Sequence, residues 1–166
     1  MKIVRAKPRQ AEELSELALR SKAIWGYDSV FLKACKQELT YTTAQLESRK
    51  WQFWIATSPV ESLIHNPKYL NQVKLNGFVA LEFTDSKFIE INALFICPES
   101  INKGLGRALF QKALEQAEAV EASQILVHSD PNAVPFYQKM GFITISSVAS
   151  GSIEGRTIPL MQRRLL

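Results

Sequence analysis

Cysteine and histidine are nearly missing from this chain. Its 166 residues contain two cysteines, Cys35 and Cys97, and two histidines, His65 and His128. Two cysteines make no disulfide framework, and no Cys/His spacing matches a metal site. No apolar run reaches the roughly eighteen residues a membrane-spanning helix needs. No apolar segment follows the opening residues Met1–Leu14, so no secretory leader is expected and the cytoplasm is the default location. Low-complexity tracts and internal repeats are absent. Charge of one sign is not concentrated either. Twenty basic and sixteen acidic residues leave +4, and the densest basic pairs are only Arg49-Lys50 and Arg163-Arg164. A nucleic-acid binder shows a basic stripe or a recognisable module, and neither is present. The mild positive excess suits an anionic small ligand without showing one.

What is present is a core-forming composition. The chain is 46% hydrophobic and 22% charged, as expected for one globular domain spanning residues 1–166. Lys2–Ala6 reads as a short strand. Pro8 then opens a helical run carrying Leu14, Leu17, Ala18 and Leu19, with Ala11 and Ser21 at its margins. Gly26 breaks it, and Asp28 or Ser29 caps a second helix with Phe31, Leu32 and Cys35. Lys50–Thr57, Lys74–Phe83 and Lys87–Cys97 read as strands. Between the first two, Ser58–Val73 reads as a long loop; Thr84-Asp85-Ser86 reads as a tight turn. After Gly106 comes the clearest helix, with Leu105, Leu109, Ala113 and Ala117 in one stripe and Phe110 and Leu114 beside it. Gln124–His128 is a strand, and Asp130-Pro131 opens a helix that runs through Lys139 and is ended by Gly141. Phe142–Val148 and Arg156–Gln162 close the series as strands. The order β-α-α-β-β-β-α-β-α-β-β predicts a mixed sheet with helices on both faces.

The strand Phe88–Ile96 runs through Pro98 and Ile101-Asn102-Lys103-Gly104-Leu105-Gly106-Arg107 into the strong helix. First-turn N–H groups lack intrahelical acceptors and the macrodipole favours negative charge, so this junction is suited to an anion. Gly104 and Gly106 allow close backbone approach, and Lys103 and Arg107 add positive charge. A pyrophosphate is the natural guest. The Gly-Lys-Ser/Thr ending of a Walker loop and the third glycine of a dinucleotide fingerprint are both missing. An ordinary strand-to-helix turn would explain the glycines equally well.

A second segment, Asp130-Pro131-Asn132-Ala133-Val134-Pro135-Phe136-Tyr137-Gln138-Lys139-Met140-Gly141-Phe142, lies on the next β-α unit. Together the two segments resemble the GCN5-related N-acetyltransferase superfamily. That family has a Q/R-x-x-G-x-G/A turn for the acetyl-CoA pyrophosphate and an N-x-x-A-x-x-F-Y-x-x-x-G-F helix downstream. The resemblance covers nearly the whole chain. It implies an α/β (α+β) fold with a mixed, mainly antiparallel sheet of about six to seven strands flanked by helices on both faces. Two positions depart from the pattern: Ile101 stands where the family has Gln or Arg, and Asp130 where it has Asn. Leu19–Tyr27, Asp130–Ala133 and Ser150–Arg156 further resemble one bacterial subgroup.

The resemblance implies an acetyl-CoA-dependent N-acetyltransferase that needs no metal, with a primary amine as acceptor, a small molecule ahead of a protein. It implies cofactor contacts from Leu94, Phe95 and Ile96, from Ile101, Asn102, Lys103, Gly104, Leu105, Gly106, Arg107 and Ala108, and from Asp130, Asn132, Phe136 and Tyr137. The cofactor would enter between the fourth and fifth strands, with the Leu94 or Ile96 N–H facing the thioester oxygen. Tyr137 would protonate the leaving thiolate; as bare sequence it is equally a packing residue. Glu90, in an apolar strand where desolvation would raise its pKa, is the general-base candidate, directly or through water; its alternative is a solvent-facing strand position shared with Asn92. Arg20, Lys22, Trp25 and Tyr27 lie where the fold lines its acceptor cleft. Arg20 would hold a carboxylate and the aromatics an amine by cation–π contact; simple packing is the alternative. Ser150, Ser152 and Arg156 form either a substrate wall or a hairpin loop. His128 and Cys97 read as structural. A homodimer is compatible with the resemblance; membrane and nucleic acid are not expected partners. The rival reading is a non-catalytic acyl-CoA-binding or sensing module.

Overall fold

The structure, a computed structural model, describes residues 1–60, 73–84 and 87–165. Strands β1 (Lys2–Arg5), β2 (Trp51–Pro59), β3 (Val73–Phe83), β4 (Phe88–Ile96), β5 (Gln124–His128), β6 (Ile143–Ala149) and β7 (Thr157–Arg164) form one sheet in the order β1-β2-β3-β4-β5-β7-β6. Only β4 and β5 run parallel; every other neighbouring pair is antiparallel. The helices are α1 (Ala11–Ala23), α2 (Ser29–Cys35), α3 (Thr43–Glu47), α4 (Leu105–Ala119) and α5 (Val134–Lys139). This is the expected mixed α/β sheet, mainly antiparallel and covered on both faces. Among the described residues no helix is long and apolar enough to cross a membrane.

Two apolar clusters cover the two faces. On one face, Leu105, Leu109, Phe110, Ala113, Leu114 and Ala117 of α4 bury against Val79, Leu81, Ile89, Ile91, Ile125 and Val127. On the other, Leu14, Leu17 and Ala18 of α1 bury against Phe53, Ile55, Phe78, Ala80 and Ala93. Alternation along β3 sends Phe78 and Ala80 to one cluster and Val79 and Leu81 to the other, as a strand buried on both faces requires. The stripes expected on α1 and α4 are the ones buried, except that Leu19 of α1 is half-buried.

Asp28 caps α2, its carboxylate accepting the Phe31 N–H at 2.8 Å. A helix that sequence periodicity did not show is α3. One turn and a half offers too few apolar repeats, yet its signal was present as a capping box: Thr42 Oγ1 accepts from the Gln45 N–H, and the Gln45 side chain accepts from the Thr42 N–H. Ser58 and Pro59 extend β2 and Val73 opens β3, so the expected Ser58–Val73 loop is shorter at both ends. Of what remains, Val60 is described, while 61–72 and Asp85-Ser86 of the expected turn lie outside the described residues. The helix expected from Asp130 is a 3-10 turn over Pro131–Ala133 followed by α5. The Asp130 side chain accepts the Asn132 N–H at 3.0 Å and sets this tighter entry.

A bulge in β4 positions the site. Leu81 pairs with Ile91 but Ala80 with Ala93, so Asn92 is the extra residue. It switches the parity of the strand. Ile89 and Ile91 face α4 before it, and Leu94 and Ile96 face α4 after it, while Ala93 and Phe95 turn to the α1 face. Bulges bend the strand that carries them. Pairing with β5 stops at this point: the ladder runs from Phe88↔Gln124 to Ile91↔Val127 and no further. Beyond Asn92, β4 pairs only with β3, and its β5 side is open.

Candidate active site

The opening between β4 and β5 leads into a cavity of ≈ 780 Å³. One half is built from contiguous chain. After Ile96 comes a 3-10 turn, Pro98–Ser100; Asn102 then takes a left-handed conformation (φ 60°), as does Gly104 (φ 77°) before α4 begins. Nothing lies near a Cβ placed on Gly104, so glycine is required there by backbone geometry. Gly106 favours close packing instead. A Cβ there would sit 3.1 Å from Phe136 Cε2, so it lets the α5 aromatic close on the start of α4. The first helical bond runs from the Ala108 N–H to the Gly104 carbonyl at 3.1 Å. The N–H groups of Leu105, Gly106 and Arg107 therefore have no acceptor among the described residues, an arrangement suited to an anion. The exposed Arg107 side chain makes no ion pair among them either. Lys103 turns back, donating to the Glu99 carbonyl at 2.8 Å.

Leu94, Phe95, Ile96, Ile101, Asn102, Gly104, Leu105, Gly106, Arg107, Phe136 and Tyr137 all line the cavity; Lys103 and Ala108 do not. Tyr137 is 5% exposed and packs edge-on against Phe136 and Phe142. Burial pushes its phenol above the usual tyrosine range, so it is a protonated donor at neutral pH. Its hydroxyl has no partner within the described chain, yet no fully buried side-chain oxygen there lacks one. The hydroxyl thus reaches the cavity.

The other half is built from side chains far apart in sequence. The Asp130 carboxylate accepts from Tyr27 Oη (2.9 Å), Lys22 Nζ (3.3 Å) and Asn132 Nδ2 (3.1 Å), with Arg156 Nη2 at 3.6 Å. Arg156 also donates to Tyr27 Oη at 2.9 Å and lies 4.8 Å from the Phe31 ring centroid, on which Tyr27 stacks at 4.0 Å. The Lys22, Asp130 and Arg156 side chains are only 12%, 13% and 19% exposed. Desolvation, the largest influence on the Asp130 carboxyl, raises its pKa; the Asn132 N–H, Lys22 and Tyr27 together outweigh it and hold the carboxyl below the ordinary aspartate range. This clamp joins the three segments that stood out in the sequence, Leu19–Tyr27, Asp130–Ala133 and Ser150–Arg156.

The clamp changes the place of several expected residues. Asp130 and Asn132 line the cavity but are committed to partners in the chain. Tyr27 does not line the cavity: its ring stacks on Phe31, with Lys22 and Arg156 beside the pair, and its hydroxyl is held in the clamp. Trp25 does: it lines the cavity and is 48% exposed. Arg20 is separated from the cavity. It lies 3.9 Å from Glu99 Oε1 and donates to Cys97 Sγ at 3.7 Å, beside a second hollow against β3. Cys97 is fully buried; burial, and then donation to Glu99 Oε2, push its thiol up, which makes it no nucleophile.

Glu90 lies on the α1 face of β4. Its neighbour Asn92 is engaged elsewhere, donating at 2.8 Å to Oε2 of Glu82, the residue opposite Glu90 on β3. Glu90 instead meets His128, at the carboxyl end of β5, with Oε1 2.5 Å from Nδ1. Both line the cavity. Sequence alone gives His128 a structural place. The signal that could have found it is its place at the carboxyl end of a strand parallel to its neighbour, where open α/β sheets gather ligands.

The model of the acetyltransferase (GNAT) domain matches residues 30–153. The chain belongs to the GNAT acetyltransferases. Members of this family are N-acetyltransferases that take acetyl from acetyl-CoA, and the anion cradle, strand opening and cavity fit that donor. The fold is also that of solved acetyltransferases. PaiA N-acetyltransferase from Thermoplasma acidophilum, in complex with coenzyme A, is 19% identical over 98% of both chains with a TM-score of 0.73. An aminoglycoside 6'-N-acetyltransferase complexed with coenzyme A is 13% identical over 100% of this chain and 98% of its own, TM-score 0.69. The ribosomal-protein-S18-alanine N-acetyltransferase from Escherichia coli is 14% identical over 99% and 93%, TM-score 0.67. No curated protein matches the chain in sequence.

Proposed function

We infer that this GNAT domain acetylates a primary amine of a small molecule. The observation that carries the reading is one cavity in which the open α4 N-terminus, the unpaired side of β4, the Tyr137 hydroxyl and the Glu90–His128 pair converge. Acetyl-CoA supplies an acyl group activated as a thioester. The N–H groups of Leu105 to Arg107 and the Arg107 guanidinium hold its pyrophosphate, and the freed β4 edge from Leu94 to Ile96 receives its pantetheine arm as a strand edge receives a peptide. An N–H of that edge, Leu94 or Ile96, stabilises the developing oxyanion. Glu90 provides the basic centre on the acceptor face, and Tyr137 donates a proton to the departing sulfur.

The acceptor class is argued from the wall of the cleft. Its neighbours in fold include an aminoglycoside enzyme and a ribosomal-protein enzyme, so fold alone does not choose. Here the Asp130 clamp ties the α1–α2 junction, the entry to α5 and the β6–β7 loop into one wall, which favours a compact acceptor held against Trp25. The test is thiol release from acetyl-CoA with a panel of diamines, amino-acid amides, aminoglycosides and N-terminal peptides. Turnover on a free small amine, with peptides slower, is the expected result. Faster turnover of peptides reverses the acceptor class, and tight binding of acetyl-CoA without turnover of any amine leaves an acyl-CoA-binding module.

A further inference from the structure

We propose that the base is a dyad in which His128 Nε2 takes the proton from the acceptor and Glu90 fixes the imidazole. This rests on the acetyltransferase reading and sharpens the role of Glu90 within it. The pair is placed by the fold: Glu90 is the last residue of β4 to point to the α1 face before the Asn92 bulge, and His128 is the last residue of β5. The two strands are in parallel register up to Ile91↔Val127 and part immediately after. The carboxylate and imidazole thus meet at the point where the sheet opens.

The geometry distinguishes the two groups. Glu90 Oε1 is 2.5 Å from Nδ1, and its side chain is 21% exposed; the imidazole is 42% exposed. A carboxylate only accepts, so a neutral ring beside it carries its proton on Nδ1 and leaves the Nε2 lone pair available. Nε2 has no partner among the described residues, and the ring lines the cavity. This is the arrangement in which a carboxylate sets the tautomer and stabilises the imidazolium formed when the other nitrogen takes a proton.

Other charges around the pair are already matched or stand apart. Across β3, Glu82 is paired with Lys50 at 2.5 Å. Following β5, Asp130 is held by Lys22 and Arg156. Glu38 lines the cavity from beyond α2. From β7, Leu160 sits opposite His128, flanked by Ile158 and Gln162. In the reaction the acceptor ammonium first gives one proton to His128 Nε2. The amine lone pair then forms the C–N bond as the C–S bond breaks. Tyr137 protonates the sulfur, a second proton leaves the nitrogen as the amide forms and restores Tyr137 through solvent, and His128 returns its proton to solvent. The balance is ammonium plus thioester to amide, thiol and one proton.

The experiment compares His128→Gln and Glu90→Gln with wild type, using acetyl-CoA and the best amine of the panel above, and records 15N shifts of the histidine rings. The dyad predicts a loss of about a hundredfold or more in kcat/KM for His128→Gln, with disappearance of the acid limb of its pH profile. It predicts a smaller loss for Glu90→Gln, because Gln Oε1 still accepts from Nδ1. Wild type should show the Nδ1–H tautomer at His128, and Glu90→Gln a mixture. Exogenous imidazole should restore part of the activity of His128→Ala, since the ring position is open to solvent. If His128→Gln stays within about threefold of wild type while Glu90→Gln is inactive, the proton goes to Glu90 directly and the dyad is wrong. If both stay near wild type, the Glu90 base fails with it.

Discussion

The two halves of the cavity are built in opposite ways. The half assigned to the acyl donor is made from backbone over one contiguous stretch, Ile101 to Arg107, and from the edge of the strand just before it. The acceptor half is made from side chains of Lys22, Glu90, His128, Asp130 and Arg156, braced by Tyr27, which converge from four stretches of the chain. A site of exposed N–H groups tolerates changes of side chain, provided that its glycines keep the path of the backbone. A site of convergent charges depends on each partner. That difference accounts for Ile101: the donor half keeps its cradle although this position offers no polar group.

The largest effect expected is on chemistry with no effect on donor binding. Tyr137→Phe should lower kcat by roughly 10²–10³-fold, with acetyl-CoA affinity unchanged by calorimetry; equal rates would remove the hydroxyl from the reaction. Next comes the clamp. Asp130→Ala leaves Lys22 and Arg156 facing each other without a counter-charge and should cost about 2–4 kcal/mol in denaturant unfolding. The Asp130 pKa is depressed in the folded state, so its contribution is complete above the ordinary aspartate value of about 4 and is lost as pH falls through the folded value. The stability gap between wild type and Asp130→Asn should therefore narrow in acid, and a constant gap would show that its ionisation is not what stabilises. A smaller effect, about 1 kcal/mol, is expected for Gly104→Ala from its left-handed backbone alone, measured by thermal unfolding. The smallest is a gain. Ile101→Arg should tighten acetyl-CoA a few-fold, more at low salt, by adding a charged donor beside the cradle.

The same contrast explains what could be read from sequence. The α4 stripe, the glycine turn and the succession of strands along the chain are local or periodic signals, and the structure has them where the sequence puts them. The Asn92 bulge left only a faint trace, the change from alternating Ile89-Glu90-Ile91-Asn92 to continuous Ala93–Ile96. The clamp's three segments were each visible, but not their contacts, because Lys22 and Arg156 are 134 positions apart and ordinary on their own helix and loop. Arg20 and Lys22 were equally plausible for the cleft, and only the rotation of α1 decides that Lys22 enters it while Arg20 turns to Glu99. His128 was obscure for the same reason, since its partner lies on a strand that becomes its neighbour only through the β-α-β crossover.

The most direct test is a calorimetric titration of acetyl-CoA into wild type and Asp130→Asn side by side, with ATP as a control ligand. Two separable halves predict micromolar acetyl-CoA binding that agrees within about threefold between the two proteins, and no binding of ATP. Loss of affinity in Asp130→Asn would place Asp130 in the donor site and collapse the division, and absence of acetyl-CoA binding by folded wild type would contradict the acetyltransferase reading itself.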